Sequence, residues 1–324
     1  MQQLAQEITQ GRRLTREDDL ERLLTADLEE LSRGADQIRR ALCGDGFDFC
    51  SVISGRSGRC SEDCRFCAQS RCSHAPVEAH PFLPAQDILA EGKCNEESGI
   101  YRYSVVTVGR GVHGKDLEKS LEAYRLLRKE TNLALCVSHG LQSVEEMRAL
   151  KEAGVTQIHS NLETSRRYFP QICSTHTYQD KVDNVLRAKE AGLKVCSGGI
   201  LGLGETWQDR LDLALELAGL EVDSIPLNLL RPIPGTPLEN VELISEEDVI
   251  RATAIFRYLN PTAWIRIAAG RDRFPDGGEK FFRAGANAAI TGNMLTIEGT
   301  TITGDLELIE RLGFHPEVPD PVRG

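Results

Sequence analysis

Short runs rich in β-branched and aromatic residues alternate with longer amphipathic runs along most of the chain. The first pairs are CSVIS with PAQDILAEG, YRYSVVTV with KDLEKSLEAYRLLRKE, and LALCVS with SVEEMRALKEAG. Alternation of this kind is typical of a parallel sheet with helices outside it. About eight such units fill the chain, so the sequence predicts an α/β fold, a (β/α)8 barrel of the TIM type, rather than a doubly wound sheet.

The two ends of the chain depart from this alternation. Residues 1–45 are predicted to form an N-terminal helical extension, with a helix beginning at Thr15-Arg-Glu-Asp and an apolar face that includes Leu20 and Leu23. Residues 46–324 are predicted to form the barrel, whose first strand begins near Phe49, and a C-terminal tail. That tail, TGDLELIERLGFHPEVP, predicts a last helix and an extended end.

Composition and charge exclude several classes of protein. No run approaches the roughly 18 apolar residues that a membrane span needs, and the first residues lack the apolar core of a signal peptide, so we expect a cytoplasmic protein that does not bind a membrane. The formal net charge is −11. Nucleic acid is bound by clustered Lys and Arg, and no such basic stripe is present, so no nucleic-acid partner is expected.

Ten cysteines need an explanation in a reducing compartment, where they indicate metal binding or catalysis rather than disulfides. Cys60, Cys64 and Cys67 follow the first predicted strand with C-x3-C-x2-C spacing. Three thiolates on one loop bind three irons of a cubane and leave the fourth iron open to a small molecule. This spacing resembles the signature of radical S-adenosylmethionine enzymes. The alternative is a structural zinc site completed by Cys72 or His74.

A second motif, Gly198-Gly-Ile-Leu-Gly-Leu-Gly-Glu205, follows the predicted strand KVC. Glycines at the end of a strand allow backbone to approach a ligand closely, and their N–H groups can face an anion or ribose oxygens. By itself such a loop is often only a tight turn. After a barrel strand and downstream of the cysteine loop, it supports a second wall for the cofactor.

Several longer segments resemble the biotin synthase family, and the resemblance covers nearly the whole chain. They are SGRSGRCSEDCRFCAQS, HSNLETS, STHTYQDKV, KVCSGGILGLGETWQDR, SIPLNLLRPIPGTPL, IRIAAGR and AGANAAITGNMLT. The resemblance implies that sulfur is inserted between two unactivated carbons of dethiobiotin to give biotin. A 5′-deoxyadenosyl radical would abstract the hydrogens, and an auxiliary iron–sulfur cluster would supply the sulfur.

The resemblance also implies roles for individual residues. Cys60, Cys64 and Cys67 would bind a [4Fe–4S] cluster. The implied contacts to S-adenosylmethionine are Phe66, Asn161, Glu163, Lys181, Gly199 and Ile200, and those to the substrate are Asn161, Asn228 and Thr296. Glu163 stands where the family usually has Asp. Lys181 stands where Arg is frequent, which keeps the charge but loses the bidentate fork.

The main departure from the family concerns the auxiliary cluster. Cys136, Cys196 and Arg266 match three of its ligands, but Ser104 occupies the place of the remaining cysteine, and a serine oxygen is a poor substitute for a thiolate at iron. Cys50 belongs to the strand beside that position, so we expect Cys50, Cys136, Cys196 and Arg266 to surround the cluster. The cluster would be [2Fe–2S] or a larger 4Fe type. The alternative is that Cys50 and Cys136 are ordinary buried thiols.

Two further classes of function remain open at this point. One is a related radical enzyme, such as the maturase of the iron-only hydrogenase or methylornithine synthase. The other is a non-catalytic iron–sulfur sensor or electron carrier, which would supply all cluster ligands from protein. The resemblance also implies a flavodoxin or ferredoxin as electron donor and a homodimer. No role is assigned to Cys43, Cys72, Cys94 or Cys173.

Overall fold

Ten strands, parallel wherever they pair, form one sheet in the computed structural model, which describes residues 1–292 and 300–318. They are β1 (Gly46–Arg56), β2 (Arg102–Thr107), β3 (Ala134–Ser138), β4 (Val155–His159), β5 (Lys194–Cys196), β6 (Gly199–Leu201), β7 (Ser224–Leu229), β8 (Trp264–Ile267), β9 (Ala288–Ile290) and β10 (His315–Pro316).

The sheet closes into a barrel because β9 pairs with β1, as well as with β8. β5 and β6 are two pieces of one wall position, since both pair with β7, and β10 only extends β1 at its beginning. Eight positions therefore surround the interior. The predicted (β/α)8 barrel is confirmed.

Helices cover the outside of the barrel and its N-terminal end. They are α1 (Gln2–Thr9), α2 (Glu21–Thr25), α3 (Leu28–Cys43), α4 (Ala85–Glu97), α5 (Gly114–Glu130), α6 (Val144–Ala153), α7 (Tyr178–Glu190), α8 (Trp207–Gly219), α9 (Glu246–Leu259), α10 (Glu279–Arg283) and α11 (Ile302–Arg311). In the described part of the chain, no helix is both long enough and apolar enough to cross a bilayer.

Capping residues fix where several helices begin. Thr177 and Asp180 form a capping box at the start of α7, as Thr206 and Asp209 do at the start of α8. Each box satisfies backbone N–H groups of the first turn, which have no partner within the helix. Because these helices follow the loops that leave the carboxyl ends of β4 and β6, the boxes also fix the ends of the loops that build the site.

Two predicted boundaries are wrong. The helix predicted at Thr15 begins instead at Glu21, because the carboxylate of Asp18 accepts from the Thr15 backbone N–H at 2.8 Å and also binds Arg12. The residues from Thr15 therefore form a turn. The first strand begins at Gly46 rather than near Phe49, so that Cys50 lies mid-strand. The tail is as predicted, a helix (α11) followed by an extended segment (β10).

Candidate active site and metal centres

The cysteine loop leaves the carboxyl end of β1 and crosses the C-terminal face of the barrel. Cys60, Cys64 and Cys67 are all partly buried free thiols. The Cys60 N–H donates to the Gln69 carbonyl at 2.8 Å, and the Gln69 side chain accepts from the Gly58 N–H at 3.0 Å. The loop thus holds its own curvature with three thiols partly accessible, as the predicted three-cysteine site requires.

Asp63 clamps this loop to the segment that follows β4. Its carboxylate accepts from the backbone N–H groups of Ser174 and Thr175 at 2.8 and 3.1 Å. These hydrogen bonds, together with one from the Ser174 hydroxyl, hold the pKa of Asp63 well below its usual range despite partial burial. The loop's position over the barrel therefore depends on a carboxylate that stays ionised.

Cys173 lies near the loop, and no role was assigned to it from the sequence. Its Sγ lies 3.9 Å from the Cys64 Sγ, and His176 Nδ1 lies 3.3 Å away on the other side. The hydrogen bond from Cys64, followed by that from His176, lowers the pKa of Cys173 to about 4 in the metal-free protein. Cys64, Cys173 and His176 form a group with metal-binding geometry. The Cys-x2-His spacing was the signal available in the sequence.

The predicted cofactor wall lies where β4, β5 and β6 end. The Asn161 carboxamide accepts from the Gly198 N–H at 3.0 Å and donates to the Glu163 carboxylate at 3.3 Å. Glu163 has a left-handed φ of 70°, and burial raises the pKa of its carboxyl group, while the charge of Lys181 opposes this shift. Phe66, which is half-buried, packs against the apolar core under the loop.

The glycines of this wall serve the barrel itself. A Cβ on Gly198 would lie 2.0 Å from the Pro226 carbonyl oxygen, and one on Gly199 would lie 2.5 Å from the Glu163 carbonyl oxygen. The Ile200 N–H donates to the same Glu163 carbonyl at 2.8 Å. The close backbone approach expected of these glycines is therefore made to strand β7 and to the loop that follows β4.

A cavity of about 280 Å³ lies inside the barrel, beneath this wall. Its lining contains the four residues predicted around an auxiliary cluster, Cys50, Cys136, Cys196 and Arg266, together with both predicted asparagines, Asn161 and Asn228. Ser104 also lines it, one inward position further along β2 than the residue paired with Cys50. Thr296 lies outside the described residues.

Two charged side chains at the bottom of this cavity, Asp48 and Arg102, were not predicted. The buried carboxylate of Asp48 accepts from Arg102 Nε at 2.9 Å and from Arg266 Nη2 at 2.5 Å. Arg102 Nη1 also lies 3.6 Å from the Cys136 Sγ. Since two guanidinium groups share one carboxylate, this end of the cavity is positive and favours an anionic occupant.

The three thiols fit an iron–sulfur cluster. Burial raises the pKa of Cys196 to about 11 and those of Cys50 and Cys136 above their usual range, so all three are protonated in the metal-free protein. Bound iron would displace these protons, as it does at any thiolate site. His159 Nδ1 lies 3.5 Å from the Cys196 Sγ, and burial lowers its pKa to about 4, so the ring is neutral.

Two protein-family models match successive parts of the chain. A model of the radical SAM superfamily matches residues 56–217, and the Biotin and Thiamin Synthesis associated domain matches residues 226–315. A biotin synthase of Clostridium beijerinckii is 53% identical over 314 residues, which cover 97% of this chain and 99% of that protein. The chain belongs to the biotin synthase family. A relative from Alkaliphilus metalliredigens is 50% identical, again over 97% of this chain and 99% of its own length.

Membership in this family shows a radical SAM enzyme with a [4Fe–4S] cluster and S-adenosylmethionine as cofactors. Solved structures add only the fold. Methylornithine synthase superposes with a TM-score of 0.84 at 20% identity, covering 97% of both chains. A maturase of the [FeFe]-hydrogenase superposes with a TM-score of 0.83 at 18% identity, covering 98% of this chain and 75% of the other.

Proposed function

We propose that this protein converts dethiobiotin to biotin, using sulfur from an auxiliary iron–sulfur cluster inside its barrel. The observation that carries the proposal is the interior cavity, because Cys50, Cys136, Cys196 and Arg266 meet there directly below the predicted cofactor wall. A radical enzyme that only cleaves its cofactor has no need for three further thiols at this depth.

Cys60, Cys64 and Cys67 would hold three irons of the [4Fe–4S] cluster at the C-terminal face, where barrel enzymes place their functional groups. The cluster, when bound, supplies the electron that cleaves S-adenosylmethionine to the 5′-deoxyadenosyl radical. The chain's own contribution is placement. Phe66 offers an apolar surface to the adenine, and the half-buried Glu163 offers a carboxylate to the ribose hydroxyls.

Asn161 and Asn228 would orient the substrate. A carboxamide both donates and accepts, which matches a ureido ring that does the same. Both side chains line the cavity, and Asn228 is fixed by donating to the Gly199 carbonyl at 3.3 Å and accepting from the Ala269 N–H at 3.4 Å. With these contacts the ring would lie between the cofactor wall and the three thiols. Thr296 is kept as a proposed third contact.

Cys50 would replace the thiolate that Ser104 cannot provide. Its strand pairs with β2 and β9, and its side chain reaches the same cavity as Cys136 and Cys196. Both a [2Fe–2S] and a larger 4Fe-type cluster are compatible with this donor set. Arg266 donates from Nη1 to the carbonyl oxygens of Asp48 and Ala289, each at 2.8 Å, which holds its guanidinium at the cavity edge.

A flavodoxin or ferredoxin would reduce the first cluster by docking near the cysteine loop. Of the four arginines there, Arg56 is paired with Asp116, and Arg59 donates to the carbonyls of Ser73 and Ala75. Arg65 and Arg71 are exposed and offer positive charge to an acidic carrier. We propose a homodimer on the family resemblance alone.

The deciding experiment is anaerobic reconstitution with iron and sulfide, followed by S-adenosylmethionine, a reductant and dethiobiotin, with products identified by mass spectrometry. Biotin together with 5′-deoxyadenosine is expected. Deoxyadenosine without biotin would reject the substrate or the auxiliary cluster. Neither product, from protein that holds a reducible cluster, would favour the sensor or electron carrier instead.

A further inference from the structure

A second cavity lies on the opposite face of the barrel from the cysteine loop. It is a cleft of about 740 Å³, and its lining includes Lys194 and Trp264, the first residues of β5 and β8. Barrel strands run parallel, so residues that begin strands mark the N-terminal face. In most barrel enzymes this face serves stability alone, and a cleft of this size there calls for an explanation.

The cleft and the interior cavity share two lining residues, Arg102 and Gln157. Arg102 Nη1 donates to the Gln157 side-chain oxygen at 3.1 Å, and both residues are almost fully buried. The same Arg102 nitrogen lies 3.6 Å from the Cys136 Sγ. A single layer of side chains therefore separates the lower cleft from a proposed ligand of the auxiliary cluster.

Charged side chains of both signs line the cleft. Arg13 and Lys194 stand against the carboxylates of Glu221 and Asp223, while Arg16 is paired with Asp212 and Arg102 with Asp48. Asp223 is turned toward the backbone, since it accepts from the Val195 N–H at 2.8 Å. Arg13 and Arg16 come from the N-terminal extension, which thus forms part of a charged entrance. The excess of positive charge lies at the inner end of the cleft, where Arg102 and Arg266 share the single carboxylate of Asp48, and it favours a small anion.

We propose that this lower cleft is the route by which hydrosulfide enters the barrel to replace the sulfur that the auxiliary cluster gives up. The inference rests on the proposed function, in which each biotin removes one sulfide from that cluster. S-adenosylmethionine and dethiobiotin would fill the opening of the interior cavity at the C-terminal face, here called the upper mouth. With both bound, sulfide needs a second opening to reach the cluster. The hydrogen-bonded pair Arg102 and Gln157 closes this route and acts as its gate. When the gate opens, the Arg102 guanidinium binds the anion and brings it close to Cys136.

The entry of hydrosulfide needs no redox partner. Hydrosulfide already has the oxidation level of a bridging sulfide, so its binding forms Fe–S bonds and releases one proton to solvent. No oxidant or reductant is consumed in the step. The gate opens by breaking the hydrogen bond between Arg102 and Gln157, while Asp48 keeps the other side of the Arg102 guanidinium in place through Nε.

The test introduces a bulky side chain into the wall of the cleft. Gly219, the exposed last residue of α8, lines the cleft, and a Cβ added there would meet no atom within 4 Å. Gly219→Trp therefore fills the entrance without displacing backbone. Ala90→Trp, at an exposed position of α4 on the outside of the barrel, is the matched control.

Full-length protein that holds its [4Fe–4S] cluster but lacks the auxiliary cluster is incubated anaerobically with iron and ³⁴S-labelled sulfide, with S-adenosylmethionine and dethiobiotin bound at the C-terminal face. The build-up of each cluster is followed by Mössbauer spectroscopy and by the label it contains. In Gly219→Trp we expect the auxiliary cluster to form several-fold more slowly than in the unsubstituted protein. The [4Fe–4S] cluster at the other face, assembled separately from cluster-free protein, should form at an unchanged rate. Ala90→Trp should change neither rate.

Equal auxiliary rates in Gly219→Trp and the unsubstituted protein would overturn the route, as would a slowing of both clusters together. A single-turnover measurement of biotin on fully reconstituted protein completes the design, and Gly219→Trp should match the unsubstituted protein. If the unsubstituted protein makes no biotin, the proposed function fails, but the assembly rates still decide whether sulfide enters from below.

Discussion

Asp48 and Arg266 form a buried ion pair at the bottom of the barrel interior, with Arg266 Nη2 2.5 Å from the Asp48 carboxylate. Each side chain is at most 3% exposed, so water cannot solvate either charge. The same carboxylate also binds Arg102. One anion therefore compensates two cations in a region that most barrels fill with branched apolar side chains.

Replacing this carboxylate should be costly. Asp48→Asn keeps the shape but leaves two buried guanidinium groups without a counter-charge, and we expect the free energy of unfolding to fall by about 3–5 kcal/mol. Urea unfolding of the cluster-free protein measures the change. Asp19→Asn, at an exposed position, is the control and should change stability by less than about 0.5 kcal/mol. Equal effects of the two substitutions would show that Asp48 is not needed to balance the pair of arginines.

Cys50→Ala should remove auxiliary iron and leave the first cluster intact. The expectation follows from the position of Cys50 in the interior cavity, away from the cysteine loop. Iron per protein and Mössbauer spectra of the reconstituted protein measure both clusters separately. Cys94→Ala removes an exposed thiol on α4 and should change neither. An unchanged auxiliary spectrum in Cys50→Ala would refute the ligand assignment.

Acid should destabilise the protein through His139. Burial lowers the pKa of its imidazole to about 4 in the folded state, against about 6.5 unfolded, and its ring nitrogens contact Ser120 and Thr107. The unfolded chain binds a proton first as pH falls. Stability is therefore full above about pH 6.5 and is lost progressively down to pH 4, by about 3 kcal/mol from this group.

Urea unfolding of the cluster-free protein at several pH values between 7 and 4 tests this expectation. Other groups titrate in the same range, so the comparison is with His139→Gln, which should lose about 3 kcal/mol less over that interval. Parallel curves for the two proteins would mean that His139 does not contribute to the acid transition.

Gly198→Ala should damage the cofactor wall. The added Cβ would lie 2.0 Å from the Pro226 carbonyl oxygen of β7, so the wall position formed by β5 and β6 must move. We expect the free energy of unfolding to fall by about 1–3 kcal/mol. We also expect weaker binding of S-adenosylmethionine, measured by anaerobic equilibrium dialysis of the [4Fe–4S] protein. Gly219→Ala is the control, because an added Cβ has open space there. Unaltered stability and cofactor binding in Gly198→Ala would argue that the strand shifts freely.

The parts of the site that lie close together in sequence were predictable from it. Cys60, Cys64 and Cys67 share one loop, so their spacing alone indicates joint ligation. Cys50, Cys136 and Cys196 line one cavity, because inward positions of different barrel strands converge, and their role as cluster ligands stays a prediction.

Contacts that depend on the detailed register of distant strands were not predictable. Asp48 and Arg102 are 54 residues apart, and Cys64 and Cys173 are 109 apart. No local pattern marks such pairs, since each residue alone reads as an isolated charge or a buried thiol. At Thr15 a local pattern was present but misleading. The sequence has the capping pattern of a helix start, whereas the Asp18 carboxylate accepts from the Thr15 N–H and closes a turn.

Asn161 is proposed to bind the substrate, and its side chain also stabilises the barrel wall. Its oxygen accepts the Gly198 N–H in the gap between β5 and β6, where the strand ladder is interrupted. If the carboxamide oxygen turns to a ligand, that amide loses its partner and becomes free to exchange with solvent deuterium. The exchange rate of the Gly198 amide hydrogen would then report whether the site is occupied. The β5–β6 position of the barrel wall would be less tightly held with ligand bound than without it.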